Sequence, residues 1–201
     1  MKVNRRSQSE RTAATRAALV QAARPLFAEH GFAGVSAETI VAAAGVTRGA
    51  LYHQFAGKAR LFEAVYEAIE EDLARELAEL IAASGATDPI EVMRLGAGAW
   101  LDACGEREVQ QIVLLDGPAV LGWARWREIG MRYALGLMEG LLTHAVEVGR
   151  IPPQPVRALA HVLVGALDEA GLYIARAEDP ATASEEMRTV VATLVAGLAE
   201  R

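Results

Sequence analysis

Apolar residues recur at intervals of three and four along almost the whole chain, the spacing of an amphipathic helix rather than the alternation of a strand. The pattern predicts a first helix from near Ser9 to His30-Gly31, with Leu19, Ala23, Leu26 and Phe27 on one face. Gly31 suits the left-handed position after a helix end. Pro25 lies inside this helix, where a missing N–H and a steric clash cost about 3 kcal/mol, so a kink or frayed end is expected there. Two short helices follow. Ser36 is a good N-cap for one, with Glu38 in its first turn and Gly45 past its end; Thr47 is a good N-cap for the next, which runs to about Gln54. Gly57 breaks the chain, and a long helix from Lys58 to about Ala83 carries the stripe Leu61, Phe62, Val65, Ile69, Leu73, Leu77 and Leu80.

Turn signals at 84–89, Gly105, Asp116-Gly117-Pro118, Gly149–Pro155 and Glu178–Pro180 delimit five more helices, near 89–104, 108–116, 120–148, 155–177 and 181–199. No alternating runs joined by hairpin turns are found, so the fold class is all-α with about nine helices.

Composition adds three points. With 201 residues, 52% of them hydrophobic, the chain can bury a sizeable core in one or two domains. The single cysteine, Cys104, has no partner for a disulfide, no apolar run reaches the length of a membrane span, and the basic, polar start of the chain is not a secretory signal. A cytoplasmic address is expected. The net charge of −6 hides a split: residues 1–60 hold nine basic and three acidic side chains, a net of +6, leaving −12 on the rest. A basic head on an acidic body is the footprint of a polyanion-binding module joined to something else, unless it is a chance cluster on a solvated face.

Candidate chemistry concentrates in residues 31–62. Two short helices meet at the turn Ala44-Gly45-Val46, with Ile40, Val41, Val46, Leu51 and Phe55 spaced to form a small core. That is a helix-turn-helix, whose second helix can project into a major groove. The second helix would present Thr47, Arg48, Gly49, Tyr52, His53 and Gln54. Arg48 can read guanine or grip phosphate, Gly49 lets a backbone approach closely, and Tyr52 and His53 can reach phosphates or base edges. Lys58 opens the next helix, where the dipole favours an anion.

The segment resembles the TetR family signature: Gly31-Phe32, the capping Ser36, Ala44-Gly45-Val46, then Gly49, Leu51, Tyr52, Phe55, Lys58, Leu61 and Phe62. The likeness covers residues 10–66; beyond it rests on length and helix count. It implies an N-terminal DNA-binding domain (1–57, with a flexible basic arm at 1–9) and a helical ligand-binding and dimerisation domain (58–201). It implies DNA contacts from Ser36, Thr47, Arg48, Gly49, Tyr52, His53 and Lys58, and a homodimer through the last two helices on a palindromic operator. The expected function is repression relieved by a small-molecule effector; activation is the variant the sequence leaves open. Val41, Gln54 and Gly57 depart from the family's usual residues. Arg5, Arg6 and Arg11 either enter a minor groove or form a solubilising tail.

The last two helices carry stripes suited to pairing: Leu159, Val162, Leu163, Ala166, Ala170 and Tyr173, then Met187, Val190, Val191, Leu194, Val195 and Leu198. Either a partner or the chain's own core can cover them. Candidate ligand-pocket residues are Met93, Trp100, Cys104, Trp123, Trp126, Asp168, Glu169 and Tyr173. Asp168-Glu169 interrupts an otherwise apolar helix. A buried carboxylate is costly unless paired, so the pair either meets a ligand or is matched by His161 or by an arginine across a dimer. Helix 4 is the expected lever between pocket and head. The four histidines and Cys104 are scattered, and no G-x-S-x-G, Gly-rich phosphate loop or metal-ligand spacing occurs. No catalysis, cofactor or metal is expected.

Overall fold

In a computed structural model, residues 8–199 are described. Among them the chain forms nine helices and no strand. These are α1 (Gln8–Gly34), α2 (Ala37–Ala43), α3 (Arg48–Phe55), α4 (Lys58–Ser84) and α5 (Pro89–Ala103). A π-helical stretch, Val109–Asp116, passes directly into one α-helical turn, Gly117–Leu121, and the two together are α6. Then come α7 (Trp123–Glu147), α8 (Val156–Arg176) and α9 (Pro180–Gly197).

The helix boundaries follow local chemistry at the head of the chain. The Ser36 hydroxyl accepts from the Thr39 N–H at 3.0 Å and the Thr47 hydroxyl from the Ala50 N–H at 3.2 Å, each satisfying a donor the helix cannot. Gly45, at φ 64°, makes the turn between them. Pro25 neither kinks nor ends α1; the break falls at Gly31, at φ 67° and ψ 167°. Arg11 lies in the first turns of α1 rather than in an arm, while Arg5 and Arg6 fall outside the described residues.

One predicted boundary is wrong. The chain does not break at Asp116-Gly117-Pro118; helix continues to Leu121, and Gly122, at φ 77°, makes the break. Pro118 is tolerated because it sits in a first turn. Gly117 serves packing instead: a Cβ there would lie 2.8 Å from Trp126 Cδ1 and 3.1 Å from the Ile112 carbonyl.

Helices α1, α2 and α3 close on α4 around Leu19, Phe27, Ile40, Leu51, Leu61 and Phe62, all fully buried. Phe27, Phe32 and Phe62 meet with ring centroids 5.3–5.9 Å apart. The remaining helices pack as a bundle, α7 on α8, α5 on α9 and α8 on α9, with α6 wedged between α1, α7 and α8.

By length and mean hydropathy α8 would suit a membrane span, although Asp168-Glu169 interrupts its apolar run; here it packs on α6, α7 and α9. Its stripe and that of α9 divide. Val164, Ala170, Val191 and Val195 are buried within the chain, whereas Val162, Val190 and Leu194 stand out at 66%, 51% and 49% exposed.

Candidate nucleic-acid interface and effector cavity

The recognition unit α2–α3 presents Glu38, Arg48, Gly49, Tyr52 and His53 outward. Arg48 pairs with Glu38 at 2.5 Å, and its guanidinium lies 5.5 Å from the Tyr52 ring centroid. The pair is exposed on both sides, so it costs little to open. A Cβ on Gly49 would meet only the Thr47 hydroxyl, at 3.8 Å. The space beyond that backbone is open. Behind the helix, Arg16 lies 4.2 Å from the Phe55 ring centroid and donates to the Gln54 carbonyl, tying α3 to α1.

Lys58 differs from the other sequence-predicted residues. Its ammonium donates to the carbonyls of Phe32 and Val35, both at 2.8 Å, and sits 4.0 Å from the Phe32 ring centroid. Two of its three donors thus clasp the α1–α2 connection. Just before it, Gly57 adopts φ 135°, a conformation for glycine alone, which accounts for the missing polar N-cap.

Below the head, α4, α5, α7 and α8 enclose a cavity of about 590 Å³. Of the sequence-predicted pocket residues, Met93, Trp100, Trp126 and Asp168 line it. Trp100 Nε1 donates to the Leu167 carbonyl and Trp126 Nε1 to the Val113 carbonyl, each at 2.8 Å. The indole edges are therefore satisfied within the protein. Asp168 is ion-paired with Arg127 of α7. Within the chain its partner is thus Arg127 rather than His161.

The other four candidates do not line the cavity. Cys104 is buried behind Trp100, against Gly171, and burial pushes its thiol up to about 12. Trp123 is 59% exposed, its ring tilted against that of Trp126 with centroids 4.8 Å apart. Glu169 is exposed, and Tyr173 faces outward toward Glu186.

Sequence reasoning missed Tyr66 and Glu70 on α4, and Arg127 on α7. Tyr66 is buried and Glu70 only 9% exposed, and burial raises the carboxyl of Glu70 above the usual range. The available signal was their spacing of four, adjacent to the Ile69–Leu73 stripe; the acidic run Glu70-Glu71-Asp72 disguised it as a solvated face.

The cavity also reaches the head. Arg24 of α1 donates through Nε and Nη2 to the two Glu108 oxygens, both at 2.7 Å, and through Nη1 to Asp72 at 2.5 Å. Arg24, Asp72 and Glu108 all belong to the cavity wall. Next to them, Arg107 donates to the Ala28 and Glu29 carbonyls, and Asp116 accepts from the Phe32 N–H at 2.6 Å. The end of α1 is therefore seated on α6.

A helix-turn-helix carried on a helical body is the architecture of a DNA-binding transcriptional regulator. The chain belongs to the TetR family: residues 19–65 match the model for bacterial regulatory proteins of the tetR family, and residues 90–198 that for the tetracyclin repressor-like C-terminal domain. Members are DNA-binding regulators, not enzymes, and act as dimers that bind small-molecule effectors. The crystal structure of a TetR-family transcriptional regulator from Pectobacterium atrosepticum is 33% identical, covers 98% of this chain and 99% of that one, and superposes with a TM-score of 0.86. The transposon Tn10 TetC protein of Escherichia coli is 25% identical over 162 residues, 81% of each chain. The transcriptional repressor AcnR of Corynebacterium efficiens is 39% identical over 80 residues, 40% of this chain and 39% of that one.

Proposed function

We propose that the protein is a repressor that holds a palindromic operator as a homodimer and releases it when a small molecule fills the α4–α5–α7–α8 cavity. The observation that carries this reading is the sharing of Arg24, Asp72 and Glu108 between the cavity wall and the seat of α1. A ligand that displaces that seat has different affinities for two positions of the head, which is the requirement for coupling. The lever thus runs through α1 and α6 as well as α4.

Residues 1–57 would read DNA and 58–201 sense and dimerise. Arg48, Tyr52 and His53 would reach base edges or phosphates, with Gly49 admitting the DNA backbone. Ser36, Thr47 and Lys58 would offer the donors their internal bonds leave over. The outward apolar face of α8 and α9 would pair with its copy across a two-fold axis, and that symmetry demands half-sites set whole helical turns apart. A regulator of this kind works in the cytoplasm, where the DNA is.

Fluorescence anisotropy against DNA flanking the gene, with a salt series and a footprint, tests the reading. Saturable binding to a palindrome that weakens steeply with salt is expected. Sequence-indifferent binding across a genomic DNA selection, with ligand-stripped protein, would sink it.

A further inference from the structure

The charges around the cavity are lopsided. Its wall carries two arginines, and both are committed: Arg24 to Asp72 and Glu108, and Arg127 to Asp168. Neither is available to neutralise an anionic ligand without breaking an ion pair. The acids are in excess. Glu76, Asp102 and Glu106 stand exposed at the margin of the cavity; Arg75 lies 4.0 Å from Glu76 and Arg188 pairs with Asp102, yet the acids outnumber the bases there and give it a negative approach.

Deeper in, Glu70 is the decisive group. It is nine-tenths buried, lines the apolar cavity, and among the described residues no basic side chain lies within ion-pair distance of it. Its neighbours are the Tyr66 hydroxyl and the bare backbone of Gly130, where a Cβ would stand 3.8 Å from Glu70 Oε1. A carboxylate in that position is expensive unless it takes up a proton or a cation comes to it. The surrounding surface is aromatic and aliphatic, including Trp100, Trp126 and Tyr133. Aromatic rings attract cations through their faces, and the indole N–H edges are already bonded to the protein backbone.

Resting on the ligand-gated reading above, we propose that the effector is a lipophilic organic cation, its positive centre held by Glu70 and its apolar body by the aromatic walls. The geometry selects against organic anions of the same size and shape.

Tetraphenylphosphonium and tetraphenylborate are a matched cation–anion pair that tests this in the full-length, ligand-stripped protein. Quenching of Trp100 and Trp126 fluorescence reads binding without DNA, at a fixed physiological salt concentration. The cation is expected to saturate and to bind at least tenfold more tightly than the borate. The isosteric Glu70→Gln variant, which keeps shape and removes charge, is expected to lose at least tenfold of the cation's affinity while its thermal melt stays cooperative. Absence of cation binding, equal or tighter binding of the borate, or unchanged cation affinity in Glu70→Gln would each overturn the proposal. If the cation binds as expected but leaves operator affinity unchanged, the ligand class stands and the gating reading falls.

Discussion

Arg24 and Glu108 meet in a two-pronged ion pair, with both guanidinium–carboxylate contacts at 2.7 Å, joining the helix that braces the DNA-reading head to the residue that caps the start of the π-helical segment. Bidentate pairs of this kind are directional as well as strong. With Arg24 29% exposed and Glu108 30%, solvent screens the pair only in part. Removing Arg24 leaves Glu108 partly buried without its ion-pair partner, whereas removing Glu108 leaves Arg24 with Asp72 alone. Arg24→Ala is expected to cost about 1–3 kcal/mol in a urea titration. The Arg24→Ala/Glu108→Ala double variant should cost clearly less than the sum of the singles. The functional signature is a weakened response of operator binding to effector; a variant that folds and responds as the wild type would show that the head is not seated this way.

Stability and DNA affinity should separate on α3. Gly49 has open space where a side chain would grow, and a helical glycine costs about 0.5–1 kcal/mol relative to alanine. Gly49→Ala is therefore expected to stabilise the fold slightly and to weaken operator binding. Arg48→Ala removes only exposed contacts, to Glu38 and Tyr52, so its melting temperature should barely move, while operator affinity falls about tenfold. Gly57→Ala is the contrasting control: φ 135° forces strain on any side chain, and it should destabilise the fold by about 1–3 kcal/mol. Differential scanning calorimetry alongside anisotropy resolves all three.

Glu70 gives a pH dependence of definite sign. Burial raises its carboxyl in the folded protein above the ordinary value of 4.5. The folded state then holds a proton that the unfolded chain gives up, and stability falls as pH rises from the ordinary carboxylate range through the raised value. Asp72, Asp88 and Asp179 are shifted the other way by their hydrogen-bond partners, so the wild-type curve mixes both slopes. The difference between Glu70→Gln and wild type isolates the contribution of this one carboxyl. The variant is expected to gain relative stability as pH rises from the ordinary carboxylate range toward neutrality. The gain should approach about 1.4 kcal/mol for each pH unit between the folded and unfolded pKa values. A difference that is flat with pH would contradict it.

Gly117 and Trp126 provide a packing test. A methyl group at 117 cannot fit at 2.8 Å from the indole without moving it or the π-helical backbone. Gly117→Ala is expected to destabilise by about 1–3 kcal/mol and to shift the tryptophan emission, because Trp126 is buried and bonded to the Val113 carbonyl. An unchanged spectrum with unchanged stability would mean that the indole stands elsewhere.

Much of the head was legible because its determinants are local. Ser36 and Thr47 satisfy N–H groups only three residues ahead, and Gly45 supplies a positive φ where its own turn requires one. Helix periodicity gave the apolar faces for the same reason. The errors lie where a residue serves a distant neighbour. Gly117 reads as a turn but is small for Trp126, while the true break, Gly122, carries no sequence signal beyond being glycine. Trp123 and Trp126 look alike along the chain, yet one is exposed and the other lines the cavity.

By itself, then, the sequence determined the all-helical class, the capped recognition unit and the basic head, since short-range hydrogen bonds, backbone preferences and net charge do not depend on what the chain later packs against. Only the tertiary structure decided that Lys58 clasps the Phe32 and Val35 carbonyls, that Asp168 pairs with Arg127, and that Glu70 lies buried with no cation beside it among the described residues. Those outcomes depend on which charge meets which across tens of residues, and in a low-dielectric interior the presence or absence of that partner sets the energy of a charged group.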